Sequence, residues 1–86
     1  MDCKVYMEKD LKGKNYVVTE WVEEDGMRYI VSLHETKEMA DKRCKYLNRQ
    51  AKTMFEKGID SVAYGVHEIS VELLRKCFNY ELEEEH

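Results

Sequence analysis

The chain has 86 residues, 43% of them apolar and 37% charged, with a formal net charge of −4 and no proline. That length makes one domain and excludes a second. No window approaches the roughly 18 consecutive apolar residues that a membrane-spanning helix needs, and Met1-Asp2-Cys3-Lys4 lacks the apolar core of a secretory signal, so a cytoplasmic protein is expected.

In chain order, residues 3–8 alternate weakly, with Cys3, Val5 and Met7 against Lys4, Tyr6 and Glu8, which suits a short edge strand. Residues 9–15 read as a loop. Tyr16 to Glu24 is rich in β-branched and aromatic residues, which fit a pleated, half-buried surface. Asp25-Gly26 then supplies the positive φ that a tight hairpin turn requires, and the second arm runs from Met27 to Glu35. In that arm Met27, Tyr29, Val31 and Leu33 form the cleaner apolar face and are expected to face the core. Thr36 has the short oxygen-bearing side chain of a helix N-cap. Met39, Ala40, Cys44, Leu47, Ala51, Met54 and Phe55 then recur in steps that place them on one helical stripe. Gly58 stands where a left-handed C-cap belongs, so the helix is predicted over 37–57. Asp60 to Ile69 reads as a further strand. Ser70 is a second N-cap candidate, followed at helical spacing by Leu73, Leu74, Cys77, Phe78 and Leu82.

The order (β)ββαβα predicts an α+β two-layer sandwich: a three- or four-stranded, mainly antiparallel sheet with the long amphipathic helix on one face and a short C-terminal helix near 71–82. Residues 1–82 form the domain, and 83–86 an acidic, solvated tail. In the first hairpin arm Val17, Thr19 and Trp21 share the face opposite Tyr16, Val18 and Val22. Both faces carry apolar bulk, so the second is covered either by the last helix or by another chain.

Charge is unevenly spread. Residues 42–57 hold six of the fourteen basic residues and one acid, a local net of +5 that leaves −9 on the remainder. Lys42, Lys45, Arg49 and Lys52 fall on the side of the helix opposite its apolar stripe. They form either a solvated face or a surface for phosphates or an acidic protein. Four cations in an acidic background focus little positive field, so a protein partner is favoured over nucleic acid. Tyr46 is the nearest aromatic residue, off to one side. Trp21 is a further candidate contact residue, because an exposed Trp/Tyr patch is a common partner site.

Catalytic and metal chemistry find little support. Cys3, Cys44 and Cys77 are odd in number and widely spaced, unlike a disulfide framework, and are read as reduced thiols, with Cys44 and Cys77 in the core. No short-spaced Cys or His pair announces zinc. His34 and His67 are read as structural, and the Glu23-Glu24-Asp25 cluster as solvated at a hairpin tip. No nucleophile elbow, P-loop or dinucleotide fingerprint occurs. The chain is accordingly expected to be no enzyme and to use no cofactor or metal.

From about Asn15 to Ser70 the chain resembles a loose class of small uncharacterised proteins of bacteriophages and mobile elements. The resemblance lies in the hairpin arm Tyr29-Ile30-Val31-Ser32-Leu33, then Thr36, Glu38, Ala40, Cys44, Leu47 and Asn48, then the strand Tyr64-Gly65-Val66-His67-Glu68. It implies an accessory protein that acts by contact, and some proteins of this size and acidity are similar to inhibitors of host defence enzymes that mask a basic nucleic-acid groove. The basic helix departs from that pattern. The function expected is therefore a protein-binding module that modulates a host protein. The alternative is a small nucleic-acid-binding protein using the helix cations. A homodimer is also compatible with so small a core.

Overall fold

A computed structural model describes residues 4–22, 26–56 and 62–81, the side chains of 53–56 excepted. The elements are β1 (Tyr6–Met7), a 3-10 turn (Glu8–Leu11), β2 (Tyr16–Val22), β3 (Met27–His34), α1 (Lys37–Glu56), β4 (Val62–Glu68), α2 (Val71–Arg75) and β5 (Tyr80–Glu81). The expected α+β class is the one observed. Cys3, the Glu23–Asp25 cluster, the side chains of Met54 and Phe55, the Gly58 C-cap, Leu82 and the acidic tail lie outside the described residues.

The central sheet is antiparallel, in the order β3-β2-β4. β2 sits in the middle and is buried on both faces: Val17 and Val18 are each fully buried, one on either side. Asn15 fastens one end of all three strands. Its N–H donates to the His34 carbonyl at 3.0 Å, its carbonyl accepts from the Ile69 N–H at 3.0 Å, and its Nδ2 donates to the Glu35 carbonyl at 3.0 Å. At the far end Gly26 takes a φ of 67° and donates its N–H to the Val22 carbonyl, the left-handed conformation for which the Asp-Gly pair selects.

The register of β2 against β3 slips between Val18 and Thr19. Val18 faces Ser32 and Thr19 faces Ile30, so Val31 is the extra residue of a β-bulge. This overturns the expected apolar face of β3. A bulge shifts alternation by one, and the four residues divide: Val31 packs on the α1 side, whereas Leu33 packs on the opposite side with Ile30, itself only 4% exposed.

α1 covers one face. Thr36 caps it as predicted, its Oγ1 accepting the Met39 N–H at 3.3 Å. Ala40, Cys44 and Leu47 press onto Val18, Tyr16, Tyr64 and Val66. Met39 leaves the stripe: it is 52% exposed, because one residue before Ala40 is about 100° around the helix, away from the sheet. α1 lies chiefly over β4, where the Asn48 Oδ1 accepts the Tyr64 N–H at 3.3 Å. That contact occupies one donor on the outer edge of the sheet, a side chain serving where a fourth strand would.

Over Val17 and Ile30 the opposite face is covered from within the chain, the simpler of the two expected solutions, while Trp21 at the hairpin end stays exposed. Leu74 of α2 and Cys77 pack with Val17, Ile30 and Tyr6. Ser70 caps α2 by accepting the Leu73 N–H at 3.2 Å. The helix ends at Arg75, well short of Leu82, because the chain then turns to run beside β3: the Phe78 N–H donates to the Arg28 carbonyl at 2.7 Å. It continues into β5, which pairs in parallel with β1, Tyr80 opposite Tyr6. The predicted first strand shrinks to Tyr6–Met7 because the Asp10 carboxylate accepts the Met7 N–H at 2.8 Å and turns the backbone.

Candidate functional site

The predicted contact residues fall on two surfaces. Lys42, Lys45, Arg49 and Lys52 are all exposed on the outer side of α1. Lys42 forms a pair with Glu38 at 3.9 Å one turn earlier, too exposed to contribute much. Tyr46 lies to one side of these four cations, as expected. It is 52% exposed at the flank of the basic face, with the Arg43 guanidinium 5.7 Å from its ring centre and Gln50 Nε2 donating to its hydroxyl at 2.9 Å. Exposed Met39 lies one helical repeat before it. The flank of this face is thus part aromatic, a feature visible in the spacing of 39, 42, 46 and 49 once Met39 is taken off the buried stripe.

Trp21 lies elsewhere. It alternates with Val17 and Thr19 on the sheet face away from α1, at the hairpin end. There it joins residues that sequence reasoning did not assemble, and Arg28 is their centre. Arg28 is directly opposite Trp21, its carbonyl accepts from Phe78, and its Nη1 lies 3.1 Å from the His67 Nε2 across β2. Phe78 is 68% exposed and meets Tyr29 edge-on, ring centres 5.7 Å apart, while the Tyr29 hydroxyl donates to the Met27 sulfur. Trp21 at 40%, Met27 at 39% and Phe78 all stand exposed at the hairpin end, but on two faces: Trp21 is paired with Arg28 on the side away from α1, whereas Met27 is paired with Val22 on the α1 side.

Asn79 holds that end rigid. Only 6% exposed, it donates from Nδ2 to the Ile30 and Lys4 carbonyls, both at 2.9 Å, and its Oδ1 accepts the Ile30 N–H at 2.7 Å. The carboxamide thus stands in for a peptide group beside the bulge. Tyr6 completes the clasp: its N–H donates to the Asn79 carbonyl and its hydroxyl to the Val31 carbonyl. Next to this clasp a cleft of about 390 Å³ opens between Lys4, Tyr6, Glu20, Val22 and Tyr29. The only signal in the sequence was an Asn placed between aromatic residues, Phe78-Asn79-Tyr80, where a purely apolar pattern would otherwise continue.

Burial, then Lys14 and Arg43, hold the His34 imidazole below its ordinary value; burial and Arg28 do the same for His67. His34 Nε2 lies 2.7 Å from the Ser32 hydroxyl. Burial, and for Cys44 also Asp41, pushes both described thiols up, which keeps them protonated and weakly nucleophilic. Among the described residues no group of His, Cys, Asp and Glu side chains is placed to hold a metal ion, and no helix is long and apolar enough to cross a membrane.

No protein-family model, curated protein or solved structure matches this chain.

Proposed function

We propose that this chain is a non-enzymatic protein-binding module, docking through the hairpin end around Arg28. The observation that carries this reading is that Trp21 of β2, Met27 of β3 and Phe78 just before β5 all stand exposed at one end of a sheet held by Asn79 and Tyr6, Trp21 on the face away from α1 and Met27 on the other. Rigid aromatic side chains on a sheet bury large area at little cost in lost side-chain freedom, which is why Trp, Tyr and Arg dominate binding hot spots. The resemblance to small phage and mobile-element proteins gives the setting: a cytoplasmic accessory protein that modulates or inhibits a host protein by occupying its surface. Affinity capture from a bacterial lysate tests this. The wild-type chain should recover a stoichiometric partner that Trp21→Ser and Phe78→Ser each lose and that Lys45→Glu retains. Capture unaffected by Trp21→Ser and Phe78→Ser together would defeat it.

A second reading is favoured by one observation, the exposed Tyr46 ring with the Arg43 guanidinium over it at the flank of the α1 cations. An aromatic surface flanked by cations is the arrangement on which single-stranded nucleic acid stacks.

A further inference from the structure

Gly65 on β4 lies directly opposite Thr19 on β2, so the sheet face away from α1 has no side chain at that point. A Cβ there would come within 3.3 Å of the His67 Nε2. The missing side chain leaves a notch of about 150 Å³, walled by Thr19, Trp21, Arg28, Ala63 and His67. The Arg28 guanidinium reaches diagonally across β2 to His67, passing over Thr19, which is only 2% exposed despite being small and polar. Its partner is an imidazole, not an acid. Among the described residues no carboxylate is within ion-pair distance of Arg28, and none lines the notch. A half-buried guanidinium has five donors in a fixed fork, and here a single side-chain acceptor engages it.

We propose that this notch is a carboxylate-binding site, in which an Asp or Glu side chain of the protein partner is held by the Arg28 fork against the face of Trp21. The planar, two-oxygen geometry of a carboxylate matches the fork in a bidentate way. A phosphate would call for further donors, and the lining offers no lysine and no helix N-terminus. A single fork binds a free small acid only weakly; Trp21 in the wall supplies the apolar contact that makes a protein side chain the fitting source. The inference rests on the docking reading above and assigns its anchoring chemistry.

The purified 15N-labelled chain, titrated with sodium acetate at constant ionic strength and followed by NMR, tests it. Saturable shifts are expected at the Trp21 indole N–H and the Gly65 amide. Arg28→Gln should weaken binding roughly tenfold, the loss of one charge-assisted fork. Arg28→Lys, which keeps the charge and loses the fork, should lose most of the affinity, and Gly65→Ala, which fills the notch, should do the same; these two decide the matter if Arg28→Gln fails to fold. Equal shifts with chloride, tighter saturation by phosphate than by acetate, or full acetate binding by Gly65→Ala and Arg28→Lys would overturn the proposal. If acetate binding fails while Trp21→Ser and Phe78→Ser still lose the captured partner, the carboxylate anchor is wrong and the docking surface stands.

Discussion

Asn79 shows how much one side chain can decide at the residue scale. A β-bulge leaves backbone groups out of step with their neighbours, and an amide side chain carries both a donor and an acceptor with which to engage them. Asn79 engages both groups of Ile30, together with the Lys4 carbonyl. Replacing it with Leu keeps the branching and the number of heavy atoms but leaves these groups unpaired in a region where Ile30 is 4% exposed. The expected loss is on the order of 3 kcal/mol, a large part of the roughly 4–13 kcal/mol that a domain of this length commands. Urea denaturation followed by the fluorescence of Trp21 measures it, and a loss below about 1 kcal/mol would mean that water replaces the amide at no great cost. Apart from its aromatic neighbours, nothing local in the sequence distinguishes this Asn from a turn residue, because its three partners come from positions 4 and 30, distant along the chain.

Elements were legible where periodicity and caps coincide. β2, β3, α1 and β4 follow from alternation, the Asp-Gly pair, Thr36 and the Ala40–Cys44–Leu47 stripe, each within a few residues of its observed bounds. Two features escaped because their causes are tertiary. The bulge at Val31 reverses the facing of Leu33 and Ile30 without any mark in composition, and the helical spacing after Ser70 gives way once the backbone finds the edge of β3 at Arg28. Of the candidate site, the helix cations were legible and the Arg28 grouping was not, since it draws on β2, β3, β4 and the segment before β5. The second functional reading belongs to α1 as a unit. If Lys42, Lys45, Arg49 and Lys52 bind single-stranded nucleic acid, a mobility-shift titration should show affinity falling steeply with salt. Reversing the four charges to Glu should abolish it, and Tyr46→Ala should weaken it by about 1–3 kcal/mol for a lost stacked base. No complex at low salt with any DNA or RNA would remove this reading.

The whole molecule should respond to acid through its two described histidines. His34 and His67 both sit below the ordinary value of 6.5 in the folded chain. As pH falls through that value the unfolded chain takes up these protons first, so proton binding favours unfolding. Their contribution to stability is complete above about pH 7, declines from about 6.5 downward, and levels off below the folded-state values. Thermal midpoints should therefore be lower at about pH 5.5 than at about pH 7.5, before most carboxylates titrate, and the difference should shrink in His34→Gln/His67→Gln. An equal or higher midpoint on the acid side would contradict the assignment.

The parallel pairing of Tyr6 with Tyr80 joins positions at nearly opposite ends of the sequence. On a ribosome, the hairpin and α1 can assemble while synthesis continues, whereas β1 waits until β5 has emerged. Contacts so far apart along the chain are the slowest to close. Arg28 receives Phe78, and Ile30 receives Asn79, only in that last step. The surface assigned to partner docking is therefore the final part of the molecule to mature, so a nascent chain, or one cut short before residue 78, carries the α1 cations and Trp21 but lacks Phe78 and the Asn79 clasp.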